Sequence, residues 1–314
     1  MFLRALLTTC LLTAVTAGER SFAQPNARAR SGFDLQRLTI PLQEIRSGGP
    51  PKDGIPAITN PRTVPAARAK YLTSSDRVIG VVLKGQARAY PLRILNQHEI
   101  VNDRLGGVPI AVTYCPLCDS AVVFDRRTPL GELEFGVSGL LYNSNVLMYD
   151  RQKQRLWSQM AMQGVSGDAA GVKLRVIPFE TTTWSDWRNR HPEGDVLSDR
   201  TGFNRNYQAD PYAGYARTDR LWFPVRPLDR RLPPKTRVLG VIVGEKARAY
   251  PIAAFGKSKQ VRDESLAGKH FRIEIDGKNG IARVVEADDD VQWAYTYWFA
   301  WYAFHPNTEI VRNE

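Results

Sequence analysis

The sequence predicts an α+β protein, mostly β, made of two related β-rich halves from an internal duplication, each ending in a short Trp-containing helix. Residues 77–103 read RVIGVVLKGQARAYPLRILNQHEIVND and residues 237–263 read RVLGVIVGEKARAYPIAAFGKSKQVRD, an offset of 237 − 77 = 160. Farther along, Trp184, Trp187, His191 and Pro192 have the same spacing as Trp298, Trp301, His305 and Pro306. Matches in one order at both ends of a segment are the mark of a repeat. The chain then divides into a leader at 1–23, an irregular arm at 24–60, a site-bearing repeat at 61–200, a connector at 201–235 and a degenerate structural repeat at 236–314.

Within the first repeat, Val78 to Leu83 and Gln86 to Leu92 alternate around Lys84-Gly85, which predicts a hairpin. Thr183 is placed to cap a short helix with Asp186 at the capping-box position, and Pro192 stops it. Val108 to Tyr114 and Ser120 to Asp125 read as strands flanking Cys115-Pro-Leu-Cys118. The second repeat has Asp276-Gly and Asn279-Gly at the corresponding place, ordinary hairpin-turn chemistry. The fold therefore asks only for a turn there, and the first repeat puts two thiols into it. His98-Glu99 likewise becomes Ser258-Lys259 in the second repeat. A stretch near 136–175 has no counterpart. The connector, with Asp210-Pro-Tyr and Leu232-Pro-Pro, reads as irregular chain rather than a flexible linker.

The first residues predict export. Arg4 precedes an apolar run from Ala5 to Ala17, and Ser21-Phe-Ala23 offers small residues for cleavage after Ala23. That run is shorter than the roughly 20 residues of a spanning helix. The expected location is periplasmic or secreted, with no transmembrane segment. Of the 3 cysteines, Cys10 leaves with the leader, so Cys115 and Cys118 remain for an oxidising compartment. A bridge between them closes so small a loop that it restrains the unfolded chain little, which favours redox or metal chemistry over a staple. The formal charge is +11, spread without long runs; peripheral association with an anionic surface is compatible with it, and no nucleic-acid-binding motif is present. The partner is an unidentified small molecule or periplasmic protein.

Three functions stay open on the residues alone. The first is a transition-metal site, zinc or copper, through Cys115, Cys118 and His98. Glu99, Asp103, Asp119 or water would complete its sphere, and Met148, Met160 and Met162 add a soft, copper-like option. Such a centre could serve an oxidoreductase; no nucleotide cofactor is indicated. The second is a thiol–disulfide redox protein, although the β-branched run after Cys118 is not the helix that usually activates a Cys-x-x-Cys thiol. The third is a noncatalytic binding module. Tyr142, Asn143 and Asn145 could line a pocket beside the cysteines or satisfy their own loop. His191 and His305, kept in both repeats, and the Trp pairs read as structural.

The runs TYCPLCDSAVVFDR (113–126), FGVSGLLYNSNVLMYDR (135–151) and LWSQ (156–159), with HEIVND (98–103), PYAGY (211–215) and RLPPKTRVLGV (231–241), resemble the domain-of-unknown-function family numbered 3179. The resemblance implies a bacterial or archaeal protein, often exported, with no activity to transfer. Asp119 departs from the Gly expected in relatives.

Overall fold

The structure is a computed structural model, and it describes residues 32–256 and 258–312. The leader, its cleavage point and Cys10 lie outside the described residues. Among the described residues no helix is long and apolar enough to cross a membrane.

The arm gives three short strands, β1 (Arg46–Ser47), β2 (Ile58–Thr59) and β3 (Thr63–Pro65). The expected hairpin follows as β4 (Arg77–Leu83) and β5 (Gln86–Pro91), turning on Lys84 and Gly85, both at positive φ. A meander comes next: β6 (Ile100–Leu105), β7 (Val108–Cys115) and β8 (Ser120–Asp125). After a ribbon of β9 (Arg127–Thr128) and β10 (Gly131–Glu132), the segment without a counterpart forms β11 (Phe135–Tyr142), β12 (Asn145–Asp150), β13 (Leu156–Ser158) and β14 (Gln163–Gly164). The first half closes with β15 (Phe179–Thr183), the helix Trp184–Arg190 and β16 (Asp195–Leu197). Past the connector come β17 (Arg237–Val243), β18 (Lys246–Pro251), β19 (Lys259–Leu266), β20 (Lys269–Asp276), β21 (Ile281–Ala287) and β22 (Gln292–Tyr297). The helix Trp298–Phe304 and β23 (Glu309–Ile310) end the fold. The protein is mostly β, as expected.

Equivalent strands pair in equivalent registers. Val78↔Pro91 through Leu83↔Gln86 in one hairpin matches Val238↔Pro251 through Val243↔Lys246 in the other. Each helix lays one Trp across its hairpin's glycine. A Cβ on Gly80 would stand 2.1 Å from the Trp187 ring, and one on Gly240 would stand 2.1 Å from the Trp301 ring. The C-capping histidines stack beside the same rings, with centroids 4.2 Å apart for Trp187–His191 and 4.3 Å for Trp301–His305. Thr183 caps the first helix by accepting the Asp186 amide at 3.3 Å.

The two eight-stranded sheets exchange strands between the halves. One runs β19-β20-β21-β15-β4-β5-β16-β3, the other β2-β6-β7-β8-β22-β17-β18-β23. In each, a three-stranded meander from one half continues the sheet of the other, joined by one residue pair: Thr181↔Ala282 and Tyr295↔Ala121. The β7–β8 turn thereby lies beside the end of β22. A third sheet, β1-β11-β12-β13-β14, brings the β11–β12 turn to the same place.

Candidate functional site

Cys115 ends β7 and pairs with Ser120 at the start of β8, so Cys115 to Ser120 form a hairpin turn, closed by the Cys118 amide donating to the Cys115 carbonyl at 3.1 Å. The second half holds the turn from outside. The Tyr297 amide and the Thr296 hydroxyl donate to the Cys118 carbonyl at 2.7 and 3.1 Å. Asp119, at φ 47°, locks it further. Its carboxylate takes Arg77 Nη1 at 2.7 Å, Arg237 Nε at 2.6 Å and the Tyr114 hydroxyl at 2.7 Å. Arg77 and Arg237 are the 160-offset equivalents of one another, so one carboxylate ties the two halves together at the turn.

Burial would raise the Asp119 carboxyl, but the two guanidinium groups outweigh it and hold it at about 2, below the ordinary carboxylate range. A depressed folded pKa means stability that is present above the unfolded value and is lost as pH falls through the folded one. Asp119→Ala is expected to cost about 2–3 kcal/mol at pH 7, below the range for a fully buried pair, because both arginines keep solvent contact. In urea unfolding the gap between wild type and variant should close between about pH 4 and pH 2. A gap that stays constant over that window would remove this role for Asp119.

The thiols are unbridged, and they are 1% and 0% exposed for Cys115 and Cys118. Cys118 Sγ lies 3.2 Å and Cys115 Sγ 3.8 Å from the Ser144 carbonyl oxygen in the β11–β12 turn. The two sulfurs differ sharply in acidity. Burial opposes ionisation of Cys115, yet the neighbouring Cys118 thiol and the surrounding amides of Cys118, Val146 and Leu117 bring it below the ordinary thiol value. Burial pushes Cys118 far up, and donation to the neighbouring Cys115 sulfur pushes it farther. Cys115 is thus the more acidic sulfur of the pair, and Cys118 the one that holds its proton. Backbone amides here do the work that a helix N-terminus does in other Cys-x-x-Cys proteins.

The proposed ligands are not all brought to the sulfurs. Both His98 ring nitrogens are already engaged, Nδ1 with the Pro56 carbonyl at 2.7 Å and Nε2 with the Tyr207 hydroxyl at 2.6 Å. Through these contacts the ring joins the arm to the connector. Asp119 is occupied by its arginines. Met148 is core, opposite Trp157 in the β12–β13 ladder, and Met160 and Met162 are buried in the same core. Asp103 accepts from Arg88 and Tyr90 at 2.7 Å each. Among the described residues no group of three or more His, Cys, Asp or Glu is set to hold a metal ion.

Glu99 does belong to the site. It stands at φ 57°, a conformation few non-glycine residues adopt without cause, and its carbonyl accepts the Tyr114 amide at 2.7 Å. Burial raises its carboxyl well above the usual range, and the charge of Cys115 adds to this. Asn145 reaches Cys118 while donating to Ser120 Oγ and Gln159 Oε1, at 2.9 Å each. Asn143 instead accepts the Arg226 amide at 3.0 Å, and Tyr142 packs edge-on against Phe304.

Sequence reasoning missed the connector's share. Tyr212 faces the charges of Glu99 and Cys115, and Tyr215 those of Cys118 and Cys115; burial raises both hydroxyls. The signal was the PYAGY run, whose aromatic spacing has no match in either repeat.

The model of a family described as protein of unknown function (DUF3179) matches residues 52–294. No curated protein and no solved structure matches the chain.

Proposed function

The chain belongs to the DUF3179 family of proteins of unknown function, and from that premise we propose that it is an exported redox protein whose Cys115–Cys118 turn cycles between dithiol and disulfide. The observation that carries this is the unequal pair, a Cys115 sulfur supplied with amide donors beside a Cys118 that retains its proton. The thiolate is the nucleophile in exchange, and a neighbouring thiol i+3 along a tight turn is its natural resolving partner. Arg4, the apolar run to Ala17 and the small residues before Gln24 support export. We further propose that the halves arose by duplication, supported by the matching hairpin registers and the paired Gly–Trp contacts. In this reading the first half acquired the thiols and the second half became their scaffold.

The test uses the chain recovered from the periplasm, which also tests export, equilibrated with dithiothreitol at stepped ratios of reduced to oxidised form. Alkylation and mass measurement should show both thiols lost together in one two-electron transition. Thiols that stay reduced at every ratio, or a stoichiometric metal that protects them from alkylation, would overturn the proposal and restore the coordination reading.

A further inference from the structure

Around the thiols stand polar groups that the fold itself does not use. Ser144 and Tyr215 are each 1% exposed, and among the described residues neither Ser144 Oγ nor the Tyr215 hydroxyl has a hydrogen-bond partner of ordinary geometry. The two hydroxyls are near one another, and Tyr215 feels the charge of both sulfurs. The Glu99 carboxyl, 7% exposed, stands beside Cys115. A buried polar group left unpaired costs about 1–3 kcal/mol. Two hydroxyls collected in that state, beside a carboxyl and a pair of thiols, are what a small oxygen-bearing ligand would satisfy.

Access selects by size. A pocket of about 260 Å³ opens against the turn, lined among others by Tyr114, Pro116, Asp119 and Tyr212. Both sulfurs are buried, 1% and 0% exposed, so a folded protein's disulfide cannot be presented to them, whereas a molecule of a few atoms needs only a small opening.

Resting on the redox reading above, we propose that the oxidant of this dithiol is a small hydroperoxide. Cys115 thiolate attacks the terminal peroxide oxygen; the S–O bond forms, the O–O bond breaks, and Cys115 is oxidised to the sulfenic acid as the peroxide is reduced. The departing alkoxide or hydroxide takes the proton of Glu99, a carboxyl that burial biases toward its protonated form. Ser144 Oγ and the Tyr215 hydroxyl donate to the peroxide oxygens while the charge moves. Cys118 then attacks the sulfenic sulfur, its proton leaves with the hydroxyl as water, and the disulfide closes. An external thiol or dithiol reductant returns two electrons and two protons, restoring the Cys115 thiolate, the Cys118 thiol and protonated Glu99.

The experiment mixes reduced full chain with hydrogen peroxide and, separately, with oxidised dithiothreitol, following Trp fluorescence and mass. One peroxide should be consumed per chain, with loss of two hydrogens, much faster than for free cysteine at equal thiolate. Cys118→Ser should stop at a sulfenic acid that dimedone captures. Glu99→Gln should slow the peroxide step by roughly a hundredfold. Tyr215→Phe and Ser144→Ala remove unpaired hydroxyls, so they should fold at least as stably as wild type while slowing the same step. Formation of the disulfide by oxidised dithiothreitol with peroxide no faster than on free cysteine would overturn the peroxide proposal and leave the dithiol reading intact. No disulfide with either oxidant would defeat both. Unchanged peroxide rates in stable Tyr215→Phe and Ser144→Ala chains would likewise overturn the assigned donors.

Discussion

Gly80→Ala and Gly240→Ala are each expected to destabilise the protein by about 3 kcal/mol or more, at or above the top of the usual range for overpacking. Each added methyl would overlap ring carbons of a Trp that is 1% or 0% exposed. The rings cannot retreat. Trp187 is held between β4 and His191, and Trp301 between β17 and His305, with its indole nitrogen donating to Thr308 Oγ1 at 2.9 Å. Urea unfolding of the two variants checks this. A shared origin of the halves predicts similar costs, and a substitution that costs less than about 1 kcal/mol at either glycine would mean that the helix can slide off its hairpin.

Cys115→Ser is expected to abolish two-electron exchange outright, since it removes the more acidic sulfur of the pair and leaves Cys118 without a bridging partner. Cys118→Ala should also stop the cycle, but by a different route. Its Cys115 keeps the surroundings of the Leu117 and Val146 amides and loses the thiol donor, so its acidity should fall back toward the ordinary thiol value. Alkylation rates against pH separate the two variants. The Cys118→Ala chain should react with iodoacetamide more slowly near neutral pH than wild type does, and the Cys115→Ser chain should hardly react at all. Equal rates for both single variants would mean that the two sulfurs are interchangeable.

Local chemistry was legible in the sequence. Lys84-Gly85 turned a hairpin, Thr183 capped its helix, and the Asp276–Gly280 segment revealed that Cys115–Cys118 occupies a turn the fold fills elsewhere without cysteine. What failed to show was long-range. Strand exchange between the halves rests on Thr181↔Ala282 and Tyr295↔Ala121, pairs that no local pattern encodes. His98 seemed the natural ligand because it precedes the Cys-bearing hairpin, but neighbouring residues at a strand entrance point to different sides. The left-handed turn at Glu99 leaves the acid with the thiols and His98 with Pro56 and Tyr207. The Ser144 carbonyl was invisible because a backbone oxygen has no sequence signature, and Tyr212 and Tyr215 because the connector has no periodicity.

Everything chemical here depends on a proton held unequally between two sulfurs. Thiolate absorbance in the ultraviolet, followed against pH on the reduced chain, measures it directly. Two separated steps are expected, the first below the usual thiol value of about 8.5 and the second well above it, with only the first lost in Cys115→Ser. A single step near the ordinary value, shared equally by both cysteines, would contradict the account.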